Sequence, residues 1–161
     1  IDACLVGSEM CIRDRDWDNV MNTNLRGVFM CSKLFSKHLV DNKKSGKIIN
    51  ISSIAAEKVL GHRLSSYCAS KAAVSHLTRT LANEYAKYNI QVNAIAPGYI
   101  LTDLNKSFFD TVEGKEMIEL IPQKRIGFAE ELDGALLLLC SDAGSFMTGS
   151  IIRVDGGHVI G

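Results

Sequence analysis

Net charge is missing from this chain, with 18 lysines and arginines set against 18 aspartates and glutamates. A protein that gathers nucleic acid or anionic membrane through its field needs an excess of positive charge, so neither partner is expected. Long apolar runs are missing too. The longest purely apolar stretch, Ala135 to Cys140, falls far short of the ~20 residues that span a bilayer. The first residues do not follow the basic, apolar, small-residue order of a signal peptide, and a cytoplasmic location is expected. Cysteine is scarce and scattered: Cys4, Cys11, Cys31, Cys68 and Cys140 are odd in number and form no Cys-x-x-Cys pair. That argues against a disulfide framework and a zinc site, and for reduced thiols. His38, His62, His76 and His158 show no metal-ligand spacing, and no metal is expected. Hydrophobic residues at 47% and charged residues at 22% suit a globular domain.

Helix and strand patterns alternate along the chain, as a parallel α/β sheet requires. Asp16 is placed to cap a helix whose apolar residues, from Trp17 through Val28 and Phe35 to Leu39, recur at helical spacing; Asn24 interrupts that stripe. Lys47 to Ile51 reads as a buried strand ending at Ser52-Ser53. A loop from Ile54 to Ser65 leads into a helix from Ser66 to Tyr88. Ile90 to Ile95 forms a second buried strand, closed by Pro97-Gly98. Proline cannot donate to a ladder, and glycine permits close backbone approach. Tyr99 to Phe128 lacks long periodicity and is expected to be a lid. Ala129 to Cys140 reads as a helix, and Ser150 to Val154 as a last strand stopped by Asp155-Gly156-Gly157.

The chemistry enters at Tyr67 and Lys71. Four residues apart, they share one helix face. An ordinary phenol titrates near pH 10, and a neighbouring ammonium favours its charged form. Such a pair can exchange a proton with a carbonyl oxygen. Alone it is unspecific, because a solvated helix face often carries the same spacing. Here it stands in a series: Asn22-Thr23-Asn24-Leu25-Arg26-Gly27, Ile49-Asn50-Ile51-Ser52-Ser53, Tyr67-Cys68-Ala69-Ser70-Lys71, Val92-Asn93-Ala94-Ile95-Ala96-Pro97-Gly98 and Val154-Asp155-Gly156-Gly157. Five motifs in this order and spacing closely resemble the catalytic and C-terminal half of a short-chain dehydrogenase/reductase, from about Asp16 to the end.

That resemblance implies a Rossmann-like, doubly wound parallel sheet and an oxidoreductase that moves a hydride between NAD or NADP and a secondary alcohol or ketone. It assigns Tyr67 as proton donor and acceptor, Lys71 as its partner and a donor to the nicotinamide ribose, and Ser53 as the group orienting the substrate oxygen. Ser53 is preferred over Ser52, although its fourteen-residue separation from Tyr67 is one longer than the frequent spacing. Asn24 matches the asparagine of a water relay reaching the lysine; a structural role at a helix kink stays open. Asn93 is read as structural. Pro97, Gly98, Ile100 and Thr102 are expected beside the nicotinamide. The segment Leu104 to Gln123 would form most of the substrate pocket, for a sugar acid, polyol or 3-oxoacyl group. A homo-oligomer, dimer or tetramer, built on the two long helices is expected.

The family's glycine-rich turn for the cofactor pyrophosphate has no counterpart in this sequence, nor has the residue that chooses NAD or NADP. The chain is therefore expected to be the last three-fifths of one domain, with the N-terminal βαβ units missing. Residues 1–15 do not match the family pattern; Cys4 to Arg15 looks like a translated sequencing adapter, so the catalytic part is placed at 16–161. Two other readings are carried. One is an inactive fragment or oligomerising module with a bare hydrophobic edge at the Lys47 strand. The other, an epimerase or dehydratase of nucleotide sugars, is disfavoured by the short stretch after Pro97-Gly98.

Overall fold

The computed structural model describes residues 12–61 and 63–161; expectations for the earlier residues and for His62 lie outside them. A long helical segment comes first, made of α1 (Asp14–Met21), a π-helical turn at Asn22–Arg26 and α2 (Gly27–Asp41). Its start differs from expectation. Arg13, not Asp16, holds the N-cap position, and Asp16 sits in the first turn, accepting a hydrogen bond from Arg13 Nε at 2.7 Å. A carboxylate there meets the positive end of the helix as well as a cap would. That bond is the chief reason the Asp16 carboxyl titrates below its ordinary value.

Three strands follow: β1 (Gly46–Ile51), β2 (Ile90–Pro97) and β3 (Ile151–Val154). They pair in parallel in the order β1-β2-β3, with Ile48 opposite Val92 and Ile95 opposite Ile152. Parallel neighbours need crossovers that cover the faces. The helix α3 (Ser65–Tyr85) crosses from β1 to β2 and buries Val74, Thr78 and Leu81. On that face Leu39 of α2 and Leu81 of α3 pack with Ile48, Ile90 and Val92. Alternate strand residues point the other way: Lys47 Nζ reaches the Ser141 carbonyl just after α6 (Asp133–Cys140). Helices thus lie on both faces, as the doubly wound expectation required.

Between β2 and α6 the expected lid folds into two short helices, α4 (Lys106–Phe109) and α5 (Val112–Glu119). Its ends are pinned together by an Ile100–Gly127 bridge, with Leu101 N–H donating to Gly127 O at 2.8 Å and Gly127 N–H to Tyr99 O at 3.0 Å. Arg125 holds Glu131 through two bonds of 2.7 and 2.6 Å. Together with the Phe128 N–H, this guanidinium drives the Glu131 carboxyl down to about 2. Ala129–Leu132 is a 3-10 turn, so α6 begins four residues later than the expected helix. Asn93, 1% exposed, clamps β2 to β3 by donating to Met147 O and accepting from Ser150 N.

Candidate active site

The carboxyl ends of β1 and β2 lie side by side, and ligands of open parallel sheets collect at such edges. The two serines after β1 differ in what their hydroxyls do. Ser52 is 2% exposed, donates to Lys71 O at 3.1 Å and lies 2.6 Å from Ser75 Oγ. A hydroxyl has one proton, so Ser75 supplies the second bond and Ser52 is absorbed in packing. Ser53 caps the 3-10 turn Ile54–Ala56, accepting from Ala55 N–H at 3.1 Å. That bond leaves the Ser53 proton uncommitted.

Tyr67 stands in the first turn of α3, half-buried, and Lys71 one turn further on. Lys71 Nζ lies 5.7 Å from the Tyr67 ring centroid and donates to Ile51 O, the last residue of β1, at 3.0 Å. The lysine therefore ties the Tyr67 helix to the strand that ends beside Ser53. Burial lowers its pKa from the ordinary lysine value.

Asn24 falls inside the π-helical turn. Its Nδ2 donates to Ser70 Oγ at 3.1 Å, and Ser70 Oγ donates to Tyr67 O at 2.7 Å. Asn24 and Lys71 also line one open groove of about 620 Å3, together with Val28, Phe35 and the β1 residues Ile48 to Ile51.

At the end of β2, Gly98 donates to Val154 O at 2.9 Å. A Cβ added to Gly98 would sit 2.7 Å from Asp155 Cα, so only glycine lets the two strand ends touch. The turn beyond β3 has Gly156 and Gly157 at φ 61° and 86°, a region that glycine enters without steric cost. Ile100 lines a separate cavity of about 370 Å3 with Tyr99 and residues 154–157. Thr102 is exposed and lines neither space; its backbone N–H donates to Asn105 Oδ1 at 2.8 Å. The fold thus gathers Ser53, Tyr67, Lys71 and Asn24 about the end of β1, with Pro97 and Gly98 on the adjoining strand.

Three further residues escaped the sequence reading. Tyr99 lies near enough to Tyr67 that, after burial, the charge of Tyr67 is the second influence raising its pKa. Its ring meets His158 edge-on at 5.3 Å, and Lys58 Nζ donates to His158 O at 2.6 Å. His158 directly follows the Asp155-Gly156-Gly157 turn, the one signal that could have marked it.

A parallel sheet with helices on both faces and polar groups at its carboxyl edge defines a Rossmann-type domain. A family model described as enoyl-(acyl carrier protein) reductase matches residues 5–158, and the chain belongs to the short-chain dehydrogenase/reductase family. It is 43% identical over 145 residues to 2-dehydro-3-deoxy-D-gluconate 5-dehydrogenase of Escherichia coli, covering 89% of this chain and 57% of that protein. NAD-dependent glycerol dehydrogenase of Listeria innocua is 42% identical over 144 residues, 89% of this chain and 56% of the relative. Among solved structures, gluconate 5-dehydrogenase of Burkholderia cenocepacia, in complex with NADP and tartrate, superposes with a TM-score of 0.89 at 34% identity, covering 96% of this chain and 60% of that one. The chain spans less than two thirds of the length of each of the three.

Proposed function

We propose that the protein is an NAD- or NADP-dependent oxidoreductase interconverting a secondary alcohol and a ketone, with a substrate of sugar acid, polyol or 3-oxoacyl type. The observation that carries this reading is the Lys71 ammonium, held 5.7 Å from the Tyr67 ring by its bond to the β1 end that leads into Ser53. A bound nicotinamide cofactor supplies or accepts the hydride. In reduction, Tyr67 gives its phenolic proton to the substrate oxygen, and in oxidation it takes that proton back. Lys71 offsets the negative charge that gathers on the phenol oxygen as the proton leaves. Ser53 donates its uncommitted proton to the same substrate oxygen and fixes its position.

The residues fit a nicotinamide nucleotide. An ammonium has three N–H donors, and the one spent on Ile51 O leaves Lys71 able to serve ribose hydroxyls. Pro97 ends the next strand and Gly98 follows it without a side chain, with Ile100 and Thr102, also expected beside the nicotinamide, a few residues on. Asn24 and Lys71 share a groove open to solvent, the arrangement a proton relay through water needs. The same reading has a cytoplasmic homo-oligomer, with Trp17, Phe29, Met30 and Leu34, all exposed along α1 and α2, in the subunit contact.

Tyr67→Phe in the full-length protein tests the assignment. Turnover is expected to fall by about 10²-fold or more, while the NAD(P)H dissociation constant from fluorescence titration stays within about threefold. Unchanged turnover would refute it.

A further inference from the structure

Polar side chains buried between β1 and α3 form a seam that the mechanism above leaves unused. Asn50 Nδ2 donates to Thr78 Oγ1 at 2.9 Å, and Thr78 Oγ1 donates to Val74 O at 2.9 Å. Two residues further along β1, Ser52 Oγ donates to Lys71 O at 3.1 Å and lies 2.6 Å from Ser75 Oγ. Asn50, Ser52, Ser75 and Thr78 are all buried. Taking hydroxyls and an amide out of water is costly unless they pair, and small apolar side chains would fill the same space without that cost. A paired network does what apolar contact cannot, because its bonds form at only one relative placement of the two elements.

The two rungs fix α3 in both height and rotation. Asn50 and Ser52 share one face of the strand, about 7 Å apart, and residues 71, 75 and 78 share one face of the helix. Strand and helix run in opposite directions along the seam: Asn50 meets Thr78, and Ser52 meets Ser75 and the Lys71 carbonyl. The next helical turn, which carries Tyr67, therefore overhangs the end of β1, where Ser53 opens the loop. The β1 end holds Lys71 twice, its carbonyl through Ser52 and its Nζ through Ile51 O at 3.0 Å. With the single Ser52 proton spent on Lys71 O, the contact to Ser75 takes the Ser75 proton. That proton is thereby drawn away from the carbonyls of its own helix, where a serine hydroxyl in a helix commonly bonds.

We propose that Ser52 and Ser75 are positioning residues for the proton-transfer pair: their linked hydroxyls lock α3 to the end of β1 at the height that keeps the Lys71 ammonium on Ile51 O and beside the Tyr67 ring. The inference rests on the oxidoreductase reading above and adds what holds its lysine in place. It also divides the labour of the two adjacent serines. In this reading Ser53 serves the substrate oxygen with its uncommitted proton, while Ser52, its proton spent inside, acts only through Lys71. Without the Ser52 hydroxyl, Ser75 falls back on Lys71 O within its own helix. Only the bond of the ammonium itself then ties that turn to the β1 end, among the described residues. An ammonium whose burial is already a cost then moves toward water.

The test uses the full-length protein, labelled with 13Cε-lysine, as wild type, Ser52→Ala, Ser75→Ala, the double variant and Ser75→Thr. The Lys71 signal is the one missing from Lys71→Met, and its NMR titration needs no substrate. Burial lowers the Lys71 pKa, so release toward water is expected to raise its proton affinity, by about threefold or more in Ser52→Ala and by less in Ser75→Ala. The double variant is expected to go no further than Ser52→Ala, as for two residues acting through one link. Ser75→Thr keeps the hydroxyl and is expected to titrate as the wild type does. Oxidation of glycerol and D-gluconate, followed as NADH or NADPH formed, is expected to slow about tenfold in kcat in Ser52→Ala with KM within about threefold. An unmoved Lys71 titration in both alanine variants overturns the proposal; lost turnover beside it would make Ser52 the group on the substrate. Undiminished turnover in Ser52→Ala, or a double variant displaced by the sum of the single ones, also overturns it. Full turnover by Tyr67→Phe overturns the parent reading instead.

Discussion

Lys71 meets two opposed demands. Its charge belongs beside Tyr67, yet half-burial penalises that charge and lowers its pKa. Between the depressed folded value and the ordinary value near pH 10.4, the unfolded chain binds more protons than the folded one, so this residue makes stability rise with pH through that window. Lys71→Met in the full-length protein is expected to lose about 10²-fold or more in turnover. Its melting temperature near neutral pH should be equal to or higher than that of the wild type, by up to about 4 °C, with the alkaline rise flattened. Thermal unfolding at several pH values checks both effects; a variant clearly less stable at neutral pH would count against the penalty. At this scale the sequence was readable where residues sit close along the chain. Tyr67 and Lys71 share a helix turn, and Ser53 ends a recognisable strand. Lys58, Tyr99 and His158 were not readable, because their contacts join loops up to a hundred residues apart and nothing local announces them.

Among the elements, the strands were legible because β-branched runs between glycine, serine and proline leave few alternatives. Gly46–Ile51 and Ile90–Pro97 extend the expected spans by one residue and by two. The π-helical turn was not legible. A 3.6-residue period shows only that Asn24 breaks the apolar stripe, whereas the extra residue per turn at Asn22–Arg26 belongs to hydrogen bonding, which periodicity does not encode. Such turns often mark functional positions in helices, and here the widened turn carries the amide that reaches Ser70 behind Tyr67. Asn24→Ala is expected to lower turnover by about 10-fold to 100-fold with a solvent-isotope effect larger than that of the wild type. If turnover and isotope effect are both unchanged, the asparagine serves only the helix.

For the molecule as a whole, β1 forms one margin of the described sheet, with Ile51 49% exposed and an apolar groove alongside it. An open strand edge of this kind invites pairing with another chain. The sequence also holds no glycine-rich turn of the sort that grips a pyrophosphate. The 161-residue chain by itself is therefore expected to bind NADH more weakly than about 1 mM and to elute above its monomer mass. Fluorescence titration and size-exclusion chromatography check both; a dissociation constant in the low micromolar range would contradict the first. The staple that joins Ile100 to Gly127 has an engineering consequence. Because the two feet of the intervening stretch are already held together, exchanging what lies between them adds little chain-closure entropy, which grows only slowly with length. The span makes a natural cassette for transplanting the corresponding stretch of other family members while leaving the end of β1 undisturbed.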